Sequence, residues 1–152
     1  MVVIGFGSNL GDRHTAILDA AAQVAAFLAS FRLSAIIETQ PLGPGLENDP
    51  AYLNAVGVGE SSLSPRELLA KLRSIEGAAG RTRSTPGAPR TLDLDLILAG
   101  DRVIEEPELQ VPHPRFRERR FVLEPLAELE PDLRDPVTGL TIQALLNRLP
   151  LS

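Results

Sequence analysis

The chain has 152 residues, of which 43% are hydrophobic and 23% charged, and its formal net charge at pH 7 is −5. This length and composition predict one globular domain over residues 1–152 and argue against a disordered chain, while the acidic balance argues against general nucleic-acid binding. The absence of cysteine excludes disulfides and thiolate metal sites, and since no membrane span or signal peptide is expected, we predict a cytoplasmic protein.

The first predicted elements are a short strand, a glycine-rich turn and a helix. Val2–Gly7 is an apolar run, and the glycines from Gly5 to Gly11 follow the spacing G-x-G-x-x-x-G. That spacing matches a dinucleotide-binding turn only loosely, and a nicotinamide oxidoreductase would need further parallel βα units, so a tight turn with Asp12 as helix N-cap is the simpler interpretation. An amphipathic helix is predicted from residue 13 to about residue 30. Its apolar stripe is Ile17, Ala21, Val24 and Leu28.

Two further strands, Phe31–Thr39 and Tyr52–Glu60, flank the segment 40–50, which contains too much Pro and Gly for a regular element. A loop of this length often carries function. Tyr52 and Asn54 would lie together at the loop end of the second of these strands. There, a ring and an amide can hold a flat polar heterocycle, although a core tyrosine and a turn-capping asparagine are an equally good interpretation.

A second helix begins at Ser64–Glu67, a capping box with proline at the first helical position. It is predicted to run to about Glu76 and to end at Gly77. The segment Gly80–Ala88 combines glycine, proline and small polar residues, so we expect a loop there.

The next strand carries the clearest chemical signal, because Thr91–Leu98 alternates strictly between two faces. One face is predicted to hold Leu92, Leu94, Leu96 and Leu98. The other holds Asp93, Asp95 and Ile97, and since a strand rises about 3.3 Å per residue, the aspartate Cα atoms would be about 6.6 Å apart. Paired carboxylates suit Mg²⁺, including two-metal sites with centres about 3.5–4 Å apart; a solvated strand face with two charges is the alternative.

Arginines cluster on both sides of this strand, whereas Lys71 is the only lysine. The arginines are Arg81, Arg83 and Arg90 before the strand or at its start, and Arg115, Arg117, Arg119 and Arg120 after it. A general bias toward arginine explains much of their number but not their position, and arginine binds phosphate through two parallel hydrogen bonds. His113 lies among them in the rigid, extended segment Val111–Pro114. A single loop histidine is more often structural, but its arginine neighbours favour a phosphate contact.

The remaining elements are predicted as a short strand at Val103–Ile104, a helix from Phe121 to about Leu129, a turn at Asp135–Gly139 and a short helix at Thr141–Leu149. The order strand, helix, strand, strand, helix, strand predicts an α+β fold. It is a ferredoxin-like βαββαβ sandwich with an antiparallel sheet and extra C-terminal helices. The two helices of that arrangement would cover one face of the sheet and leave the other for a site or for the extra elements.

Several motifs together resemble one family, that of 6-hydroxymethyl-7,8-dihydropterin pyrophosphokinase, over nearly the whole chain. They are Gly7-Ser8-Asn9-Leu10-Gly11, Pro41-Leu42-Gly43-Pro44, Tyr52-Leu53-Asn54-Ala55, Gly80-Arg81-x-Arg83, Pro89-Arg90-Thr91-Leu92-Asp93-Leu94-Asp95 and Val111-Pro112-His113. The last two are highly specific. The resemblance implies transfer of the β,γ-pyrophosphate of ATP to the hydroxymethyl oxygen of the pterin, with release of AMP, in folate biosynthesis.

The resemblance also implies the site residues and partners. Catalytic roles fall on Arg83, Arg90, Asp93 and Asp95, and the two aspartates would bind two Mg²⁺ ions together with ATP. The implied ATP contacts are Glu76, Arg83, Arg90, His113 and Arg119. The implied pterin contacts are Thr39, Leu42, Tyr52, Asn54 and Phe121, with Phe121 stacking on the ring and Asn54 reading its polar edge. Beyond ATP and 6-hydroxymethyl-7,8-dihydropterin we expect no nucleic-acid or membrane partner, and we expect a monomer.

The chain departs from the best-known members of this family at three places. The loop 84–88 is one residue shorter and lacks their Arg-Trp pair, so Arg81 becomes the candidate for the missing cation. Arg73 replaces a glutamine that helps to hold adenine, and Glu108 replaces an arginine near the nucleotide. These changes keep open a non-catalytic pterin- or nucleotide-binding module, whereas a domain serving protein contacts alone would not need two aspartates flanked by arginines. The loops 40–50 and 80–88 are the predicted closing segments.

Overall fold

The computed structural model describes residues 1–9, 12–39, 51–79 and 92–150 of the chain. The strands are β1 (Val2–Ser8), β2 (Ala29–Leu33), β3 (Ile37–Thr39), β4 (Tyr52–Glu60), β5 (Asp93–Ala99), β6 (Ile104–Glu106) and β7 (Leu109–Val111). The helices are α1 (Arg13–Ala25), α2 (Pro65–Ala79), α3 (Arg120–Leu129) and α4 (Ile142–Asn147), with a 3₁₀ turn at Phe116–Glu118. None of the helices in these ranges is long and apolar enough to cross a membrane.

The main sheet has the strand order β2-β4-β1-β5, and every neighbouring pair is antiparallel. β3 pairs with β4, in line with β2, and β6 and β7 form a separate hairpin. This order, with α1 and α2 as crossovers, is that of a ferredoxin-like sandwich, so the predicted α+β fold is confirmed.

Alternation along β1 divides the interior into two apolar clusters, one on each face of the sheet. Ile4 and Phe6 face the first cluster, to which α1 and α2 contribute Ile17, Val24, Leu68 and Leu72. Val3 faces the second cluster, to which α3 and α4 contribute Leu123, Leu126, Ile142 and Leu145. The extra C-terminal helices therefore cover only the part of the second face around Val3. The part around Gly5 and Gly7 lines an open cleft.

The predicted first helix is too long, because α1 ends at Ala25 and not near residue 30. The N–H groups of Ala26 and Phe27 already bond to the carbonyls three residues back, and Ser30 has a left-handed φ of 55°. The chain therefore turns into β2 at Ala29. The predicted stripe is nevertheless buried, since even Leu28, beyond the helix, is only 3% exposed.

The predicted strand Phe31–Thr39 is two strands, because Ser34 interrupts the backbone pairing with β4. Its N–H donates to the Val56 carbonyl over 2.8 Å, and its hydroxyl oxygen accepts the Val56 N–H over 2.9 Å. A side-chain oxygen thus takes the place of a backbone carbonyl, and regular pairing resumes at Ile37.

Three other predictions change in the structure. Ile4 pairs with Leu96 but Val3 pairs with Leu98, so β5 contains a one-residue bulge after Leu96. Leu98 consequently packs in the second cluster and not with the other leucines.

The second helix continues past Gly77 to Ala79, and β7 is a strand that was not predicted. The first two glycines of the predicted turn lie inside β1, which removes the basis for a dinucleotide-binding turn.

Candidate active site

A cleft of about 580 Å³, called here the main cleft, lies on the uncovered part of the second sheet face. Its floor comes from β1, β4 and β5, and the start of α3 forms one wall. Seven predicted site residues line it: Thr39, Tyr52, Asn54, Asp93, Asp95, Arg119 and Phe121. The predicted residues Leu42, Arg83 and Arg90 lie outside the described residues.

Two glycines leave the floor of the main cleft open beside the aspartates. Gly5 pairs with Asp95 and Gly7 with Asp93, and on its other side Gly7 pairs with Asn54. A Cβ at Gly5 would lie 3.3 Å from Ile97 Cδ1, and one at Gly7 would lie 3.4 Å from Asn54 Oδ1. Any side chain at these positions would therefore occupy cleft volume. Sequence reasoning missed this role; its signal is a G-x-G repeat in phase with the D-x-D repeat of the partner strand.

Asn54 is held in a defined orientation at the β4 side of the floor. Its Nδ2 donates to Thr39 Oγ1 over 2.7 Å, and its side chain is nearly buried. The carbonyl oxygen of the amide then lies towards Gly7. The pairing of Thr39 with Tyr52 places β3 alongside β4. This short strand therefore fixes the orientation of the Asn54 amide, which was predicted to contact a heterocycle.

An aromatic ring and a guanidinium group meet at the α3 side of the cleft. Phe121 lies in the first turn of α3, and the guanidinium carbon of Arg119 lies 5.6 Å from the centroid of its ring. This distance is within the range of a cation–π contact. Arg120 and Glu124 also line the main cleft and were not predicted as site residues; they form an exposed i,i+4 ion pair at 3.4 Å.

Asp93 and Asp95 occupy alternate positions at the start of β5, and both are partly exposed to the main cleft. Between them, the Leu94 N–H donates to Glu76 Oε2 over 2.7 Å, so α2 holds this strand through its backbone. Within the described ranges, no group of three or more His, Cys, Asp or Glu side chains is placed to hold a metal by itself. Mg²⁺ is commonly bound by one or two carboxylates together with substrate phosphates, and this pair of hard oxygen donors fits that pattern.

A second cleft, of about 300 Å³, lies between α2, β5 and the β6–β7 hairpin. Its apolar lining is Leu69, Leu94, Leu96, Pro107, Leu109 and Pro114, and its polar lining is Asp95, Glu108, Gln110 and His113. Asp95 therefore lines both clefts.

His113 is fixed at the second cleft by its backbone and by its ring. Its N–H donates to the Ile97 carbonyl over 2.9 Å, and its Nδ1 accepts the Arg115 N–H over 3.1 Å. Burial lowers the pKa of His113 below its usual 6.5, and Arg119 and Arg115 act in the same direction, against the charge of Asp95. The neutral form of the ring is therefore favoured, and because Nδ1 accepts the Arg115 N–H, the proton of the neutral ring lies on Nε2.

The comparison with known proteins decides the family. Residues 3–131 match the family model of 7,8-dihydro-6-hydroxymethylpterin-pyrophosphokinase. The chain belongs to this family. The match confirms the family predicted from the sequence, and with it the family's reaction, transfer of pyrophosphate from ATP to 6-hydroxymethyl-7,8-dihydropterin in folate biosynthesis.

Curated relatives agree with this assignment, and a solved structure matches the fold. The chain is 42% identical to the 2-amino-4-hydroxy-6-hydroxymethyldihydropteridine pyrophosphokinase of Synechocystis sp., covering 97% of this chain and 75% of that protein. It is 38% identical to the folic acid synthesis protein fol1 of Pneumocystis carinii, covering 97% of this chain but only 20% of that longer protein. The wild-type HPPK-DHPS structure of Plasmodium falciparum matches the fold with a TM-score of 0.71 at 15% identity, covering 97% of this chain and 44% of that chain.

Two of the departures from the pyrophosphokinase family pattern meet at the rim of the second cleft. Glu108 lines the cleft, and Arg73 Nη2 on α2 lies 3.5 Å from the Glu108 backbone carbonyl oxygen. An arginine therefore remains next to position 108, although it comes from α2 and not from the hairpin.

Proposed function

We propose that this chain transfers the β,γ-pyrophosphate of ATP to the hydroxymethyl oxygen of 6-hydroxymethyl-7,8-dihydropterin and releases AMP. The pterin would occupy the main cleft and the nucleotide the second cleft. The observation that carries this proposal is the position of Asp95, which lines both clefts. Its carboxylate lies where a hydroxyl group from one cleft and a phosphate chain from the other would meet.

The main cleft supports the pterin assignment through shape and polarity. The glycine floor leaves room for a flat ring next to the aspartates, and Phe121 and Tyr52 supply aromatic surfaces for stacking. Asn54, oriented by Thr39, offers an amide to the polar edge of the ring. Leu42, outside the described residues, remains part of the proposed pterin site.

Asp93 and Asp95 would hold two Mg²⁺ ions when ATP is bound, and Mg²⁺ supplies neutralisation of the phosphate charge. The chain's own residues add further positive charge and orientation. Arg119 lies at the main cleft, and Arg83 and Arg90 are proposed as phosphate contacts. Neutral His113 offers its Nε2 proton to a phosphate oxygen, and Glu76 keeps β5 in place behind the aspartates. Catalysis by this arrangement rests on positioning and on charge neutralisation.

We further propose that the chain acts as one domain and as a cytoplasmic monomer, with no nucleic-acid or membrane partner. The net charge of −5 argues against nucleic-acid binding, and the lack of cysteine is consistent with a reducing compartment.

The test is AMP release from ATP, 6-hydroxymethyl-7,8-dihydropterin and Mg²⁺ by the wild type, by Asp95→Ala and by the control Asp101→Ala, which removes an exposed aspartate from the turn after β5. Pterin-dependent AMP that requires Mg²⁺, persists in the control and is lost in Asp95→Ala supports the proposal. Formation of ADP would contradict pyrophosphate transfer. Pterin binding without any nucleotide turnover would instead identify a binding module.

A further inference from the structure

Tyr52 forms part of the main cleft at a point where strand pairing is incomplete. It is the first residue of β4, and its backbone pairs with Thr39 of β3. On the other side, the pairing of β4 with β1 ends one residue later, at Leu53 opposite Ser8. Ala51, the residue before Tyr52, belongs to no strand. Among the described residues, the backbone that carries the Tyr52 ring is therefore held by a neighbouring strand on one side only.

Arg13 supplies a second attachment at this point. It is the first residue of α1, and its Nη1 donates to the backbone carbonyl of Ala51, 38 residues along the chain and in a partly buried position. The helix that carries Arg13 is itself well anchored. Asp12 caps it by accepting from the Thr15 N–H over 3.2 Å and from the Thr15 hydroxyl over 2.9 Å, and Ile17 is fully buried one turn further on.

We propose that Arg13 is a positioning residue for the pterin, an inference that rests on the proposed function. By holding the Ala51 carbonyl against the start of α1, it sets the backbone position from which the Tyr52 ring reaches the main cleft. Arg13 does not line that cleft, so it acts through Tyr52 and not by contact with substrate.

The composition of the chain makes this inference directly measurable. Tyr52 is the only tyrosine, and there is no tryptophan. Incorporation of 3-fluorotyrosine therefore gives one ¹⁹F NMR resonance, which reports on Tyr52 alone. The variants are Arg13→Ala and Arg13→Lys, where lysine keeps a charged donor. The matched control is Arg134→Ala, which removes another arginine-to-carbonyl bond, from Nη1 to the Gly139 carbonyl over 2.6 Å, away from the cleft.

In Arg13→Ala, we expect the Tyr52 resonance to shift or broaden and the Kd for 6-hydroxymethyl-7,8-dihydropterin to rise about fivefold to tenfold. This is only a part of what a charge-assisted hydrogen bond contributes, because Arg13 acts on the pterin through Tyr52. Lysine should restore part of this affinity. The KM for ATP should remain at the wild-type value, because the second cleft is untouched. The control should leave the resonance, the Kd and the KM unchanged.

An unchanged resonance and an unchanged pterin Kd in folded Arg13→Ala would overturn the positioning role. An equal loss of affinity in Arg134→Ala would overturn it as well, since a general loss of stability would then explain both. If Arg13→Ala does not fold, the same comparison is made with Arg13→Lys, whose Kd must lie above the wild-type value. Failure of the wild type to bind the pterin would refute the proposed function itself, which is a separate result.

Discussion

Glu76 offers a sharp test of how α2 supports the aspartates. Its carboxylate accepts the Leu94 N–H over 2.7 Å, directly between Asp93 and Asp95. A hydrogen bond to a charged acceptor contributes about 1.5–3 kcal/mol, and because Glu76 is partly exposed we expect Glu76→Ala to lower the free energy of unfolding by about 1–2 kcal/mol. Since β5 then loses its attachment between the aspartates, the Mg²⁺ concentration for half-maximal AMP release should rise about tenfold, as for a supporting contact of a metal site.

The control and the isosteric variant separate support from substrate contact. Glu67 lies on the same helix, and its carboxylate also accepts a backbone N–H, that of Ser64 over 2.9 Å, but Glu67 lines neither of the two clefts. Glu67→Ala should therefore lower stability without changing the Mg²⁺ dependence. Glu76→Gln keeps an acceptor oxygen and should retain most activity. Impairment of Glu76→Gln equal to that of Glu76→Ala would refute this reasoning, because the negative charge, and not the bond to Leu94, would then be required. Denaturant unfolding and AMP release measure both quantities.

Two further predictions concern the scaffold. A Cβ at Gly57 would lie 2.5 Å from the Phe31 ring, so Gly57→Ala should lower the free energy of unfolding by about 1–3 kcal/mol. Gly77 lies inside α2 with open space around it, so Gly77→Ala should raise the free energy of unfolding by about 0.5–1 kcal/mol. Equal effects of the two substitutions in denaturant titrations would contradict the packing argument. Burial alone would raise the pKa of Asp135, but hydrogen bonds, chiefly from Arg117, outweigh it and hold this pKa below 3.8. The unfolded state then binds the proton more readily, so this contribution to stability is present above about pH 4 and is lost below it. The free energy of unfolding should therefore decline less between about pH 5 and pH 3 in Asp135→Asn than in the wild type. An equal decline in the two proteins would contradict this role of Asp135.

Much of the fold could be predicted because local pattern and tertiary packing agree in most elements. The capping box at Ser64 starts α2 as predicted, with reciprocal bonds between Ser64 and Glu67. The alternation of β5 placed Asp93 and Asp95 on one face, and both line the main cleft. Where the pattern failed, a single residue altered the backbone. Ser34 replaced a carbonyl with its hydroxyl, and the bulge at Ile97 moved Leu98 to the other face.

The composition of the main cleft could be predicted only in part, because strand register is not visible in one sequence. Gly5 and Gly7 belong to the floor because antiparallel pairing sets them opposite Asp95 and Asp93. Without that register, a glycine-rich stretch at the end of a strand is interpreted as a turn. The contact from Arg13 to Ala51 spans 38 residues and likewise follows from tertiary structure alone.

The edge position of β5 explains how one aspartate can line two clefts. In the described sheet β5 pairs only with β1, so its other side is open to α2 and the β6–β7 hairpin. Two backbone groups of this strand bond to predicted site residues in place of a further strand: the Leu94 N–H donates to Glu76, and the Ile97 carbonyl accepts from the His113 N–H. An uncovered edge would invite pairing with another chain, and this edge is covered by side-chain and loop contacts. One of the two residues that protect the edge, His113, also lines the second cleft together with Asp95. A sixth strand added at this edge would remove that cleft while leaving the main cleft intact.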